Sequence, residues 1–474
     1  MISFHVSNSI LFNPFLCPTT WGHYKSLVLF IAPERLRDGL FLTAMERAGN
    51  KISMCVIDEA HCISEWGHDF RGDYLYIPEF IHKHGSPQVV ALTATATGPV
   101  KDEIISELNI SRVFDNFPIH RDNFALEVKR FSSKLEKYQY IKSQLKELSK
   151  PGIIYTNGRE QAQDLADFIK KQGIKADYYH ADRTNAEKER VFKGFMNGDI
   201  DVICATKAFG MGIDKENVRF VIHFQIPESI DSYCQEIGRG GRDDQPCRCI
   251  LLYSKRDSGI HKRNISQSYP ESAVVQKEYR DTLYLGPRRR KDRMERDIPI
   301  GKFYDERAAI LLRYFERVGL IVRQGEILGS IDVEIRTQNK NIKKWDKIID
   351  EIKRDINGMK GTLDILSLAD KLNIDPVDAI HEIYGATLDG VIDVGPREFR
   401  DIKYLKLRND IENDDLENIE VEMSARRAFK YDRLEKMIQY AENTNKCRAQ
   451  CISEYFDKNQ DPCRKCDICL KCGL

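Results

Sequence analysis

Short apolar runs alternate with amphipathic stretches along most of the chain. Leu27–Ile31, Met54–Ile57, Gly152–Tyr155, Ala176–His180, Asp201–Ala205 and Val218–Phe224 have the length and character of buried parallel strands. Gln88–Thr97 reads as another strand, ending in alternating Thr and Ala. A helix is expected to begin near Arg159, and a second over Asn185–Met196 with Gly198 as its C-cap. This alternation of strand and helix predicts doubly wound α/β architecture.

The pattern changes after Ser254. Asp305–Val318 places Ala308, Leu311, Leu312 and Phe315 on one helical face. Gly319–Arg323 and Ile331–Arg336 then suggest a hairpin. Ile342–Ile356 and Leu363–Leu372 read as helices, as does Asp375–Ala386, where Asp375 can N-cap and Pro376 suits the first turn. Gly390–Val394 and the run to Leu405 suggest a second strand pair. Helices followed by hairpins predict one or two winged-helix folds, which serve either duplex DNA or protein partners. Asp410–Glu422 is acidic and reads as an exposed linker.

At 474 residues the chain has room for three or four domains. Charged residues make up 31% and the net charge is zero, so any basic surface for nucleic acid must be local. No apolar run approaches a membrane span, and Pro14 and Pro18 interrupt the N-terminus where a signal peptide would need a clean apolar core. An intracellular protein is the expectation. Six of the 13 cysteines fall in the last 28 residues, a density that points to metal rather than to a disulfide framework.

The densest chemistry lies in Cys55–Tyr74. A buried strand ending in Asp58-Glu59 sets acid groups at the carboxyl edge of a sheet, where α/β folds bind nucleotides. One carboxylate suits Mg²⁺, and its neighbour suits orienting water. His61 follows, and then Trp66, His68, Phe70 and Arg71 surround Gly67, a mixture suited to base stacking and phosphate contact. Together these residues resemble motif II and the aromatic-rich loop of the RecQ family of DNA helicases. Further segments carry the resemblance. Ala32–Leu36 is similar to motif Ib, Ala91–Thr97 to motif III, and Ile119–Phe124 to the family's Arg-x-Asn segment with Asp122 in place of its usual Pro. Thr206–Asp214 resembles motif V and Gln235–Asp243 motif VI, with Gly240 where the family often has Ala.

One expected element is absent from the sequence: no G-x-x-x-x-G-K-[ST] phosphate loop occurs. Its backbone N–H groups and Lys would neutralise the β and γ phosphates. The reading is an N-terminally truncated or split helicase whose first sheet has a gap and unpaired edges.

At the C-terminus, one Cys before a Cys-x-x-Cys-x-x-Cys knuckle supplies four thiolates for tetrahedral zinc. Family spacing selects Cys447, Cys463, Cys466 and Cys469, with Cys451 and Cys472 as spare thiols or substitute ligands.

The resemblance implies two RecA-like parallel-sheet helicase lobes, the first incomplete, then a winged-helix-like α+β region and a zinc-binding helical module. The expected partition is 1–25 unmatched, 26–117 and 118–254 for the lobes, 255–409 winged-helix-like, 410–425 linker and 426–474 zinc module. It further implies ATP, Mg²⁺ and Zn²⁺ as cofactors and 3′ to 5′ unwinding of single-stranded and forked DNA in repair and recombination. Asp58, Glu59, His61, Gln235, Arg239 and Arg242 would be catalytic. Asp58, Gly212, Asp214, Arg239 and Arg242 would hold nucleotide. Trp66, His68, Phe70, Arg71 and Arg121 would meet DNA. The competing reading is a DNA-binding chain without a motor, or one completed by an upstream helicase fragment.

Overall fold

The first sheet has the order β2-β1-β3-β4, from Ile2–Val6 (β1), Leu27–Ile31 (β2), Ile52–Ile57 (β3) and Gln88–Ala91 (β4). The computed structural model describes residues 2–6, 27–37, 41–42, 45, 52–64, 74, 76–115, 121–210, 214–284, 295–299, 306–336, 342–406 and 411–473. β3 and β4 are parallel, whereas β1 runs antiparallel to both its neighbours, with Ile2 opposite Ile31 on one side and Ile57 on the other. The segment without a sequence match thus supplies an inner strand. Among the described residues β2 and β4 are the two end strands of this sheet, and β1 stands between β2 and β3.

Tyr76–Lys83 (α1) and Gly98–Leu108 (α2) cover the sheet, burying Ile77, Phe80, Val100, Ile104 and Leu108 with Cys55, Ile57 and Ile63. The strand expected over Gln88–Thr97 stops at Ala91. Beyond it the Thr93 hydroxyl engages the backbone of Thr95, a local bond that competes with the ladder and turns the chain toward α2.

The second lobe is a six-stranded, wholly parallel sheet of order β5-β10-β9-β6-β8-β7. In chain order it comprises Phe124–Arg130 (β5), Lys134–Glu147 (α3), Gly152–Tyr155 (β6), Arg159–Lys170 (α4), Ala176–Tyr179 (β7) and Asn185–Asn197 (α5). Val202–Ala205 (β8), Phe220–His223 (β9), Ile230–Ile237 (α6) and Cys247–Tyr253 (β10) complete it. Every residue of β6, β8 and β9 is buried, which is why they read as unbroken apolar runs. A Thr184–Glu187 capping box starts α5, and Gly198 ends it at φ 87°, as expected. From α3, buried Lys137 donates to Phe224 O, Leu252 O and Asp257 Oδ2 at 2.7–2.8 Å, tying together the ends of two central strands.

The region after β10 departs from the expected pair of hairpins. Ser258–Ser268 (α7), Ser272–Tyr284 (α8), Glu295–Pro299 (β11) and Glu306–Arg317 (α9) lead into one 15-residue strand, Ile321–Ile335 (β12). Asp346–Asp355 (α10), Lys360–Asp364 (β13), Ile365–Leu372 (α11) and Pro376–Leu388 (α12) follow, then a second 15-residue strand, Ile392–Lys406 (β14). β12 and β14 pair with each other along their lengths, in a sheet of order β11-β14-β12-β13. Gly325, Gly395 and Pro396 fall inside these two strands, and the ribbon absorbs the irregularity through shifts of register. Asp375 caps α12 as expected, accepting from Val377 N at 2.9 Å.

The acidic stretch after residue 410 is not an extended linker. It opens a 30-residue helix, Asn413–Glu442 (α13), started by a Glu412–Asp415 capping box. Leu416, Ile419 and Met423 form an apolar stripe packed with Leu311, Phe315 and Tyr279, so an acidic outer face hides a buried inner one. Arg448–Tyr455 (α14) and Asp467–Cys472 (α15) complete the chain.

Candidate interlobe active site and metal centre

β3 ends at Ile57, and the chain turns at once through Asp58 and Glu59. Glu59 adopts a left-handed backbone (φ 51°, ψ 45°), uncommon for a side chain other than Asn, Asp or Gly and typical of functional turns. The turn is held by Ala60 N to Leu92 O and Leu92 N to Ile57 O, both 2.8 Å. Asp58 is exposed, and its carboxylate accepts from Glu59 N at 3.0 Å. His61 is buried, with Nδ1 3.0 Å from Thr93 Oγ1 and 3.3 Å from Glu59 Oε2. Because the Thr93 hydroxyl donates to Thr95 O, it accepts from His61, which assigns the Nδ1–H tautomer to the ring.

The second lobe faces this turn with α6. Gln235 Nε2 donates to Glu59 Oε1 at 3.5 Å, across the cleft. Ser229 caps α6, and behind the helix Glu236 meets the buried ring of His223 at 2.6 Å. A cavity of about 1350 Å³ lies between the lobes, lined among others by Glu59, Thr93, Gln235, Arg239 and Arg242. Arg239 is buried, donates to Gly210 O and leaves Nε without a hydrogen-bond partner. Arg242 pairs with Asp214 at 2.6 Å on the more exposed rim. Beside them Tyr155 is buried, which pushes its phenol up, and it donates to Phe209 O at 2.8 Å.

The arginine-bearing turn is stapled from β5. Asn123 Nδ2 donates to Gly241 O at 2.7 Å and Gln245 O at 2.9 Å, and Arg121 Nη1 to Gly240 O at 3.3 Å. Arg121, singled out in the sequence for DNA, thus lies along the interlobe cavity. A Cβ at Gly240 would stand 2.3 Å from Cys247 Sγ, so this chain has no room there for the family's more usual Ala.

The structure therefore brings together Asp58, Glu59, His61, Gln235, Arg239, Arg242, Asp214 and Arg121. Trp66, His68, Phe70, Arg71 and Gly212 lie outside the described residues. Thr93 and Asn123 were quoted in motifs without roles of their own; their bonds join segments far apart in sequence, which no local pattern reveals. In the winged-helix-like region, α11 and α12 are joined by residues 373–375, but the exposed face of α12 carries Asp378, His381 and Glu382. That face has the wrong sign for a phosphate backbone.

At the C-terminus, Cys447, Cys463, Cys466 and Cys469 bring their Sγ atoms within 4.8 Å of one another. A zinc tetrahedron sets its sulfurs about 3.8 Å apart. The Cys447–Cys463 and Cys447–Cys466 separations of 3.5 and 4.0 Å bracket that value, so the thiol set fits zinc. Burial opposes ionisation of Cys447, but hydrogen bonds from the backbone N–H groups of Cys463 and Gln450 and from the Cys463 and Cys469 thiols together outweigh it and bring the thiol down to about 7. Cys451 stands outside the cluster, accepting from Asn443 Nδ2 at 3.4 Å, and Cys472 is exposed. The module is fastened to the second lobe by Val128 N donating to Asp467 Oδ2 at 3.1 Å, and within the module Arg448 holds the same carboxylate. No described helix is long and apolar enough to cross a membrane.

A mixed-sheet lobe with an acidic turn, facing a parallel-sheet lobe with an arginine-bearing turn, defines the DEAD/DEAH helicase class. Family models agree: DEAD/DEAH box helicase over residues 20–103 and Helicase conserved C-terminal domain over 136–244. A third model, RecQ zinc-binding, matches residues 400–470. The chain is 39% identical over 239 residues to the "Probable ATP-dependent DNA helicase RecS" of Bacillus subtilis, covering 50% of this chain and 48% of that protein. To the "ATP-dependent DNA helicase RecQ" of the same organism it is 38% identical over 261 residues, covering 54% and 42%. To the "RecQ-like DNA helicase BLM" of Xenopus laevis it is 36% identical over 266 residues, covering 54% and 19%. The matched segments are those of RecQ-family helicases, and the matched part spans less than half the length of these relatives.

Proposed function

We propose that the chain works as an ATP-dependent DNA helicase of the RecQ type, moving 3′ to 5′ on single-stranded and forked DNA in repair and recombination. The observation that supports this most directly is the Gln235–Glu59 contact, with Arg239 and Arg242 on the wall of the same cavity. ATP with Mg²⁺, when bound, supplies phosphoryl transfer to water. Asp58, exposed at the strand end, would ligate the metal. Glu59, steadied by His61 and Gln235, would orient the water. Arg239 and Arg242 would balance charge developing on the phosphate. Trp66, His68, Phe70 and Arg71 would report DNA occupancy to this site.

Hydrolysis by the chain as given is proposed to be impaired, because its sequence offers no backbone cradle or Lys for the phosphates. A second reading follows from that and from the free side of β4, where half-buried Val89 and Val90 and exposed Leu92 line the cavity. On this reading the chain binds zinc and DNA, and hydrolyses ATP only when a separate helicase fragment completes the sheet. ATP turnover by the purified chain, with and without single-stranded DNA and beside Glu59→Ala, decides. DNA-stimulated turnover abolished by the substitution establishes a self-sufficient motor. Absence of turnover with DNA still bound establishes the second reading.

A further inference from the structure

One short stretch of the zinc module, Tyr455–Lys458, touches both lobes. Tyr455 ends α14 and donates its hydroxyl to Asp231 Oδ2 in the first turn of α6. Asp231 is also ion-paired with Arg433 of α13, and both of these side chains are buried at the base of α6, the helix that leads into the arginine-bearing turn. Two residues beyond Tyr455 the chain reaches the other lobe. Asp457 Oδ2 accepts from Gly98 N at 3.3 Å. Lys458 Nζ donates to Asp115 O at 2.7 Å and pairs with its carboxylate at 2.8 Å.

The local chemistry explains why these contacts form. Thr97, at the N-cap of α2, makes no side-chain capping bond, and the first turn of α2 holds no acid of its own. The end of α2 therefore presents free N–H groups and a positive dipole end. Asp457 brings the missing carboxylate from another domain. Its backbone is left-handed (φ 58°), which swings both Asp457 and Lys458 off the axis of α14 toward lobe one. Close approach depends on Gly98, where a Cβ would stand 3.1 Å from Asp457 Oδ2. On the other side of the contact, Lys101 and Lys458 together hold the Asp115 carboxyl below its ordinary range.

We propose that Tyr455–Lys458 is an interlobe latch, in which Asp457 and Lys458 are positioning residues that hold lobe one against the second lobe in the arrangement where Gln235 reaches Glu59. α14 makes the latch stiff. It spans about 12 Å, with zinc ligand Cys447 as its N-cap and Tyr455 as its last residue. α2 follows directly on Thr93–Thr97, so the latch grips lobe one at the segment bonded to His61.

The test measures the distance between the lobes in the zinc-loaded full chain. Genetically encoded, non-cysteine labels at exposed Glu79 of α1 and Lys171 after α4 spare the zinc thiols. The expected result for Asp457→Ala with Lys458→Ala is about a tenfold rise in the longer-distance population, with zinc content unchanged. Lys458→Glu should open the lobes, and Lys458→Glu combined with Asp115→Lys should close them again. Hydrogen exchange gives a second readout. The first-turn amides of α2 should exchange about fivefold faster in Asp457→Ala and near the parent rate in Asp457→Asn, which keeps an acceptor. A distance distribution and exchange rates indifferent to these substitutions, or a charge swap that fails to restore the parent distances, would overturn the latch.

Discussion

His61 Nδ1 and Thr93 Oγ1 stand 3.0 Å apart, a bond between residues 32 positions apart that makes the acidic turn and the segment after β4 one unit. Glu59 shares the same ring nitrogen, so a shift of Thr93 is felt at the carboxylate that faces Gln235. Thr93→Val removes an acceptor from a buried donor, which costs about 1–3 kcal/mol. Urea unfolding of the first lobe should register that loss, whereas Thr93→Ser, which keeps the hydroxyl, should stay within about 0.5 kcal/mol of the parent. Equal losses in both variants would mean that packing, not the bond, is responsible.

Gly240 and Cys247 form a matched pair. Gly240→Ala alone should destabilise the second lobe by about 1–3 kcal/mol through overpacking, since the new Cβ meets Cys247 Sγ. Adding Cys247→Ala should recover most of the loss. Thermal melts of the two single variants and the double variant give the coupling directly.

Lys137 should be among the costliest single positions in the second lobe. Lys137→Met strands Asp257 together with the carbonyls of Phe224 and Leu252. Breaking a buried pair from one side costs about 3–5 kcal/mol. Lys137→Met with Asp257→Asn should cost less than Lys137→Met alone, because no buried charge remains. Equilibrium denaturation in urea separates the two variants.

Metal analysis should find one zinc per chain. Cys463→Ser or Cys466→Ser should lose it, while Cys451→Ser and Cys472→Ser should retain it, since those two sulfurs lie outside the four-thiol cluster. Chelation should lower the melting temperature and expose α14 and α15 to protease, because α14 is capped by a ligand cysteine and its fastening partner Asp467 sits between two more. Zinc retained in Cys463→Ser would shift the fourth ligand to Cys451.

The parts legible in the sequence were those governed by local chemistry. The buried runs of β2, β3, β6 and β8 and the caps at Gly198 and Asp375 depend on neighbours a few residues away, whereas the set of four zinc cysteines came from the spacing that the family resemblance supplies. β5 and β10 lie in the second sheet without having been read as strands: Phe124–Arg130 carries Glu127 and Lys129 on the face opposite Phe124, Leu126 and Val128, and Cys247–Tyr253 carries Arg248. Arg248 and Glu127 face each other at 2.8 Å, so charges that look like breakers in one strand are satisfied by the other. The same reason hid Asp457 and Lys458. Their meaning is set by Gly98 and Asp115, 359 and 343 positions away, and no periodicity encodes that.

The β12–β14 ribbon is about 50 Å long and is threaded through two separate cores. Ile331, Val333 and Ile335 lie with Ile348, Leu368 and Ile383, whereas Ile321 lies with Leu311, Phe315 and Met423. Its innermost pair, Ile335 with Ile392, encloses the shortest loop, and its outermost, Ile321 with Lys406, the longest. Chain-closure entropy therefore favours zipping outward from the α10–α12 unit once that unit has drawn its own ends together. Assembly acquires an order. The inserted unit forms early, the ribbon extends, and only then are α9 and α13 registered against each other. Pulse-labelled hydrogen exchange during refolding should protect Ile331–Ile335 before Ile321, and a slow-folding inserted unit should delay the docking of the zinc module at the far end of α13.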